Sequence, residues 1–135
     1  MRQTIFYACA AGVCALLLGG CNKKVKEAQV PGRYIADYSF AVETLEFTSD
    51  HKFIQKITLK SSDNTAAAQG TWRFDSERSD IYFSDDFLVA SDGFGKLIDD
   101  FDRPLHRAMS ILPIRSRFGR VQIGLDPAVP YKKIE

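Results

Sequence analysis

The chain has 135 residues, of which 45% are hydrophobic, and carries a formal net charge of +1 at pH 7. This length suffices for one domain with its own core after a short leader and leaves no room for a second domain. Of the 18 Lys and Arg residues only Arg2 precedes Cys21, which leaves 17 basic and 17 acidic side chains in the rest of the chain and argues against a nucleic-acid-binding protein.

The first 20 residues have the features of a targeting segment. Arg2 precedes an apolar run from Ile5 to Leu18, which is shorter than the ~20 residues of a membrane-spanning helix and has the length of a signal-peptide core. The run closes with Leu18, Gly19, Gly20 and Cys21. These four residues resemble the lipobox of bacterial lipoproteins. The resemblance implies that a signal peptidase recognises Leu18, Gly19 and Gly20, that residues 1–20 are removed, and that Cys21 is the lipidated residue.

By the same resemblance the Cys21 thiol receives a diacylglyceryl group and the new amino terminus is acylated with a fatty acid such as palmitate. Two lipid attachments exceed what stable membrane anchoring requires. In lipoproteins of enteric-type bacteria, Asp after the cysteine favours retention in the inner membrane. Asn22 therefore favours the outer membrane, with the protein facing the periplasm. Ordinary secretion and a retained signal anchor are the alternatives.

Residues 21–31 are predicted to be the lipidated cysteine and a tether. The stretch from Asn22 to Val30 lacks a useful period and is closed by Pro31-Gly32, so we expect a linker that reaches at most ~30 Å. Its lysines would each add about 1 kcal/mol of attraction to an anionic surface, or would simply be solvated; they are Lys23, Lys24 and Lys26.

From Gly32 onward hydrophobic and polar residues alternate, which is the period of half-buried β-strands. The inward-facing rows of the first four predicted strands are Tyr34, Ala36, Tyr38 and Phe40; Leu45 and Phe47; Phe53, Ile57 and Leu59; and Ala66, Ala68, Gly70, Trp72 and Phe74. The fourth row has small residues at one end and aromatic residues at the other, which predicts an interior that tapers.

The second half of the chain continues this pattern. Ile81 and Phe83 begin a strand that Asp85-Asp86 interrupt, and Pro113 within Ser110–Ile114 requires an edge or a bulge because proline donates no ladder hydrogen bond. Only Gly95–Arg107 has helical spacing, which Pro104 should end after about two turns. Residues 32–135 are therefore predicted to be an all-β domain, an antiparallel meander that forms a small barrel or a flattened sandwich of seven to eight strands with one short helical segment.

The segment Thr48–Lys52 predicts a hairpin turn. Placing Phe47 opposite Phe53 keeps both rings on one face and puts Leu45 opposite Gln55. His51 then occupies the position of a five-residue hairpin that usually requires glycine, so we expect a left-handed backbone there.

Three motifs resemble the Gly-x-Tyr, hairpin and Gly-Thr-Trp pattern of uncharacterised lipocalin-like bacterial lipoproteins. They are Gly32-Arg33-Tyr34, the hairpin from Leu45-Glu46-Phe47 to Phe53-Ile54-Gln55, and Gly70-Thr71-Trp72-Arg73-Phe74. The resemblance covers most of the chain after residue 31. It implies the fold and brings no activity to any residue. His51 departs from the pattern, since such hairpins usually have glycine.

The sequence predicts no catalytic residue, no metal site and no cofactor. Only His51 and His106 could serve as histidine bases, and a Gly-x-Ser-x-Gly elbow is missing. Cys21 is the last cysteine, so the mature domain has no disulfide and no thiolate zinc ligand. Calcium ligation by acidic residues is the remaining metal alternative, although their spacing is that of solvated turns; they are Asp85, Asp86, Asp92, Asp99, Asp100 and Asp102.

Basic residues are concentrated late in the chain. Arg115, Arg117 and Arg120 flank a predicted turn at Phe118-Gly119, and no acidic residue lies between Arg103 and Arg120. We predict that these three arginines form a binding patch for an anionic lipid head group or an acidic envelope protein, because guanidinium groups bind phosphate and carboxylate in bidentate fashion. Pairing with the acidic segment 75–102, or plain solvation, is the alternative.

The interior offers a second candidate site. Tyr34, Tyr38 and Trp72 would line a cavity if the barrel has an open mouth, and Glu43 and Gln55 place polar groups among the inward rows. The sequence thus favours a lipid-anchored, non-catalytic interaction module of the cell envelope. A lipocalin-like carrier of a small apolar ligand is the alternative, and a hydrolytic enzyme is a third. Partner identity and oligomeric state are left open.

Overall fold

The computed structural model describes residues 23–89, 106–124 and 129–134. They form one closed antiparallel barrel in which each strand pairs with the next along the chain and the last pairs with the first. The strands are β1 (Gly32–Asp37), β2 (Ala41–Phe47), β3 (Lys52–Leu59), β4 (Thr65–Asp75), β5 (Asp80–Val89), β6 (His106–Arg117), β7 (Arg120–Ile123) and β8 (Tyr131–Lys133). The predicted all-β antiparallel meander is confirmed. Of the predicted alternatives, the structure has eight strands rather than seven and a barrel rather than a flattened sandwich.

Pairing of β8 with β1 closes the barrel. Tyr34 lies opposite Lys133, and Ile35 lies opposite Lys132. Closure protects the backbone groups that an open sheet would present at its two edges. Although β8 has three residues, it joins β7 on its other side and so completes both ladders.

The registers confirm the local predictions. Phe47 pairs with Phe53, and Leu45 pairs with Gln55. The ladder between β5 and β6 is irregular between Phe83 and Phe87, where the sequence predicts an interruption. Pro113 lies where β6 changes its partner from β5 to β7, which is a position that tolerates the missing N–H group.

The predicted short helix falls mainly outside the described residues. The segment Gly95–Arg107 in which it was predicted ends with His106 and Arg107, which follow Pro104 and belong to β6. The helical turn that the structure describes is a 3₁₀ turn at Glu27–Gln29. No helix within the three described ranges is long and apolar enough to cross a membrane.

The two ends of the barrel differ, and we call them the near end and the far end. The near end holds the start of β1, the β2–β3, β4–β5 and β6–β7 turns and the end of β8. It is filled by aromatic rings: Phe47 meets Tyr34 edge-on at 5.4 Å and Trp72 edge-on at 5.5 Å between ring centroids. A smaller buried cluster lies toward the far end and contains Ala41, Ala68, Ile57, Leu59 and Leu88.

The residues before β1 cover the near end. Val25 and Val30 are 4% and 0% exposed and join the aromatic cluster. The Tyr34 hydroxyl donates a hydrogen bond to the Val30 carbonyl at 2.8 Å, and Lys133 Nζ donates to the carbonyls of Gln29 and Pro31. The prediction of a free tether over residues 21–31 does not account for this packing. The 3₁₀ turn between Val25 and Val30 lets both side chains contact the aromatic cluster. From Val25 onward the predicted tether therefore packs on the barrel.

Gly70 has a steric reason to be glycine. It lies opposite Phe53, and a Cβ atom at position 70 would lie 2.7 Å from Phe53 Cε1 and 2.3 Å from Ser84 Oγ. The Ser84 hydroxyl also accepts a hydrogen bond from the Thr71 N–H at 3.1 Å. The glycine of the Gly-Thr-Trp motif therefore makes room for a ring and a hydroxyl on its two sides.

His51 has the predicted left-handed backbone, with φ of 63°. Its ring also lies 4.7 Å from the Trp72 ring, and its Nε2 lies 2.8 Å from Glu27 Oε1 on the segment that covers the near end. Replacing His51 by glycine would relieve left-handed backbone strain of ~1–2 kcal/mol. It would also remove the exposed hydrogen bond to Glu27 and the contact with the Trp72 ring, each worth ~0.5–1 kcal/mol.

We therefore expect His51→Gly to change the free energy of unfolding by less than ~1 kcal/mol, as measured by urea denaturation. His51→Val is the matched control: it loses the same contacts and keeps a β-branched side chain at positive φ, so it should destabilise the domain by more than ~1 kcal/mol. If the glycine variant is destabilised as strongly as the valine variant, the contacts of the His51 ring set the stability at this position. Backbone strain would then contribute little.

Candidate functional site

The β6–β7 turn is the first candidate site. Phe118 and Gly119 have φ values of 51° and 76°, and positive values at both central positions define a type I′ turn. Such turns favour Asn-Gly, and a bulky side chain at the first position costs about 1–2 kcal/mol. The ring gains no burial in return, because Phe118 is 90% exposed.

Arginines surround this exposed ring. Arg117 lies directly opposite Arg120, and both side chains are exposed. Like charges in directly opposite positions are destabilising. Arg115 lies two residues earlier on the same outer face and donates a hydrogen bond from Nη2 to the Gly124 carbonyl at 3.3 Å. The structure thus brings the three predicted arginines together on one side of the barrel, with the Arg117 guanidinium 5.6 Å from the centre of the Phe118 ring.

Acidic partners for these arginines are not found within residues 23–89, 106–124 and 129–134. Among the acidic side chains there, Glu27 contacts His51, Asp50 pairs with Lys52, and Asp37 pairs with Lys60. Asp75, at the start of the acidic segment, accepts hydrogen bonds from the backbone N–H groups of Glu77 and Arg78 instead. Pairing of these arginines with the rest of the acidic segment stays a prediction, because residues 90–102 lie outside the described ranges.

The second candidate site is a buried polar cluster between β2, β3, β5 and β8. Glu43 is 3% exposed and Gln55 is 0% exposed. Gln55 Nε2 and the Tyr131 hydroxyl both donate to Glu43 Oε1 at 2.5 Å. The Gln55 amide also bonds both backbone groups of Leu88: Nε2 donates to the carbonyl at 2.9 Å, and Oε1 accepts from the N–H at 2.8 Å.

The bonds to Leu88 follow from a divergence between β4 and β5. The two strands are paired only from Trp72–Asp75 to Asp80–Phe83, so β5 leaves β4 before it reaches Leu88. Gln55 lies on β3 and faces Ala68 of β4 in the ladder; the small alanine lets its amide pass across to β5. Gln55 thus takes the place of a neighbouring strand for Leu88, which satisfies two buried backbone groups.

Burial raises the pKa of Glu43 from 4.5 to about 7, even though the hydrogen bonds from Tyr131 and Gln55 lower it. Burial and the adjacent Glu43 in turn raise the pKa of Tyr131 well above its ordinary value. Desolvation therefore dominates, and the carboxyl group changes its charge near neutral pH.

The predicted cavity-lining residues Tyr34, Tyr38 and Trp72 belong to one buried cluster but lie at different heights in the barrel. Tyr34 and Trp72 belong to the aromatic cluster of the near end, where the Trp72 Nε1–H donates to the Thr48 carbonyl at 3.2 Å. Tyr38 lies at the end of β1 near the far end and stacks on Phe40 with 5.2 Å between centroids. Their assignment to one cavity stays a prediction. Tyr131 was missed, because it is 88 residues from Glu43 and no local pattern links the two.

Other predicted positions lie outside the described residues. These are Leu18, Gly19, Gly20 and Cys21 of the lipobox, and the acidic residues Asp92, Asp99, Asp100 and Asp102. Within the described part of the chain, no three His, Cys, Asp or Glu side chains are grouped so that they could hold a metal ion.

Comparison of the chain with models of protein families, with curated proteins and with solved structures gives no match. The candidate sites therefore rest on their own geometry.

The Glu43 carboxyl predicts how stability depends on pH. Its folded-state pKa is raised, so its protonated form contributes stability below pH ~4.5, and this contribution is lost as the pH rises to about 7. The shift corresponds to ~3 kcal/mol. We expect Glu43→Gln, which keeps the acceptor oxygen but cannot ionise, to abolish this fall and to be the more stable protein at pH 8, as measured by urea denaturation across pH. Glu46→Gln, at an exposed position of the same strand, is the control; equal pH profiles of wild type and Glu43→Gln would contradict the assignment.

Proposed function

We propose that the protein is a lipid-anchored, non-catalytic binding module of the cell envelope, which engages a negatively charged partner through the arginine turn. The β6–β7 turn carries the proposal. It combines a strained backbone at Phe118, a like-charge pair of Arg117 and Arg120, and an aromatic ring in water. Each feature lowers the stability of the free protein, and such features are typical of sites that function maintains.

A binding role is also compatible with the fold and with the interior cluster. The eight-stranded meander barrel is a lipocalin-like architecture that presents loops and turns on a rigid frame. Glu43 has a raised pKa, but it is 3% exposed and is held by Tyr131 and Gln55, which supports a structural use of this carboxyl group rather than a hydrolytic one.

The anchor is the part of the proposal that rests on the lipobox resemblance. We expect Cys21→Ser to leave an unlipidated, uncleaved precursor, because serine lacks the thiolate that accepts the diacylglyceryl group. Mass spectrometry of the membrane fraction measures this directly: the wild-type protein should begin at Cys21 and carry acyl mass on it. A wild-type protein that begins at another residue, or lacks acyl mass, would refute the anchor.

The binding surface is tested by photocrosslinking in the membranes of the producing cell. A photoreactive residue replaces Gln122, which lies opposite Arg115 on the outer face. We expect adducts that disappear in Arg117→Glu/Arg120→Glu and persist in Lys56→Glu/Lys60→Glu, which changes the net charge equally on β3 and its far-end turn. The melting temperature of both variants should stay near that of the wild type, because exposed charges contribute only ~0–1 kcal/mol each. If the adducts persist in Arg117→Glu/Arg120→Glu, the assignment of the binding surface to these arginines is wrong.

A carrier of a small apolar ligand is the second candidate function. It is favoured by the small side chains around the polar cluster, since Ala41, Ala66 and Ala68 occupy inward positions toward the far end. An apolar fluorescent probe distinguishes the two roles. A carrier should bind the probe with one site, and Ala66→Leu, which adds volume to this half of the barrel, should abolish binding. An interaction module should give no saturable binding.

A further inference from the structure

We propose that the near end of the barrel docks onto an anionic phospholipid surface, with the Phe118 ring inserted between head groups and Arg117 and Arg120 bound to their phosphates. The inference rests on the lipid anchor of the proposed function and names the partner of the same arginine surface. It also orients the molecule, because the far end then points away from the membrane.

The spacing between the anchor and the core sets the distance to the membrane. Val25 is buried in the near-end cluster, and four residue steps separate it from Cys21. Four extended residues span at most ~14 Å. The head-group layer of one leaflet is itself about 5–8 Å thick. Lipids attached to Cys21 therefore hold the near end, with its turns, at the membrane surface.

Exposed apolar side chains mark this end. Large hydrophobic residues that are exposed in the described ranges are Ile54, Ile111, Phe118 and Ile134. Ile54 and Ile111 lie on the barrel wall, in β3 and β6, whereas Phe118 forms the tip of a near-end turn and Ile134 follows β8 at the same end. Phe118 is the most exposed of the four, at 90%. An aromatic ring on a projecting turn suits the interface between head groups and acyl chains.

Basic side chains gather at the β6–β7 turn and on the segment before Val25, whereas the β4–β5 turn of the same end carries both signs, with Asp75, Glu77, Asp80 and Arg78. Arg117 and Arg120 flank Phe118, and Lys23 and Lys24 are exposed on the segment that leads to the anchor. Two acidic side chains of this end already have cationic or histidine partners: Asp50 lies 2.8 Å from Lys52, and Glu27 lies 2.8 Å from His51. Basic groups within about 8 Å of a charged membrane act on it with little screening.

Phosphate binding would also account for the repulsive arginine pair. Two guanidinium groups that face each other across a hairpin can share the oxygens of one phosphate or hold two neighbouring phosphates. The bound anion would offset a repulsion that the free protein leaves uncompensated within its described residues. An acidic protein would explain the arginines equally, but it gives no reason for a bare aromatic tip on the end that the anchor brings to the membrane.

The test uses lipidated protein, purified from membranes and reconstituted into vesicles of phosphatidylcholine and phosphatidylglycerol in equal parts. Phe118→Trp places a fluorophore at the tip. Ile111→Trp places one on the barrel wall, six residues before the near-end turn of β6, as the matched control. The buried Trp72 is common to both variants, and its signal is subtracted with the parent protein. Brominated phospholipid quenches tryptophan that reaches the acyl region. We expect a blue shift and quenching for position 118 and neither for position 111.

The charge requirement is tested in the same vesicles. Arg117→Glu/Arg120→Glu in the Phe118→Trp background should reduce quenching to the level of the wall variant, whereas Lys56→Glu/Lys60→Glu should leave it unchanged. Vesicles of phosphatidylcholine alone, or high salt, should reproduce the effect of the arginine reversal. If the double reversal unfolds the domain, as checked by circular dichroism, Arg120→Gln replaces it and should give a partial loss.

The outcomes separate this inference from the proposed function. A protein without acyl mass on Cys21 contradicts the anchor itself. An anchored Phe118→Trp variant whose added fluorescence is not quenched refutes the docking and leaves the anchor standing. If quenching at position 118 is the same with neutral lipid and after the arginine reversal, the proposed phosphate contacts are refuted. Protein adducts, without lipid adducts, at position 122 in cell membranes would make an acidic protein the partner and overturn the lipid assignment.

Discussion

The barrel depends on how it satisfies the backbone of β5 after this strand leaves β4. The ladder between them ends at Trp72 and Phe83, yet β5 continues to Val89 along β6. Gln55 supplies the missing partners by bonding the N–H and carbonyl of Leu88, and Glu43 and Tyr131 hold its amide in place. Unpaired backbone groups in this interior would cost about 1–3 kcal/mol each. One polar cluster therefore connects β2, β3, β5 and β8 across the barrel.

This arrangement divides the molecule into two halves with different properties. The near half is filled with aromatic rings and covered by the segment that contains Val25 and Val30. The far half contains smaller side chains beside an ionisable carboxyl group. The aromatic half is also the one from which the chain leads back to Cys21. Under the proposed lipidation of Cys21, a chain that packs on its barrel from Val25 onward would give that barrel a more defined orientation than a long tether.

Much of the local structure was predictable because it depends on neighbours in sequence. Alternation placed Phe47, Leu45 and Phe53 on the inner face, and the turn between them set their register. The length of that turn required positive φ at His51. The arginines flank a two-residue turn, so their grouping also followed from sequence. The covering role of residues 25–31 was not predictable, because two valines among lysines carry no period.

The sequence by itself determined the all-β meander, its main hairpins and the polar positions of Glu43 and Gln55, since alternation and turn chemistry act over a few residues. Only the tertiary structure decided what those positions do. Glu43 meets Tyr131 because the barrel closes, and its pKa rises because closure removes water from around it. The Phe118 ring faces solvent at the near end, which the segment with Val25 and Val30 covers. The burial of a side chain depends on which distant parts of the chain pack around it. A local sequence pattern therefore cannot predict it.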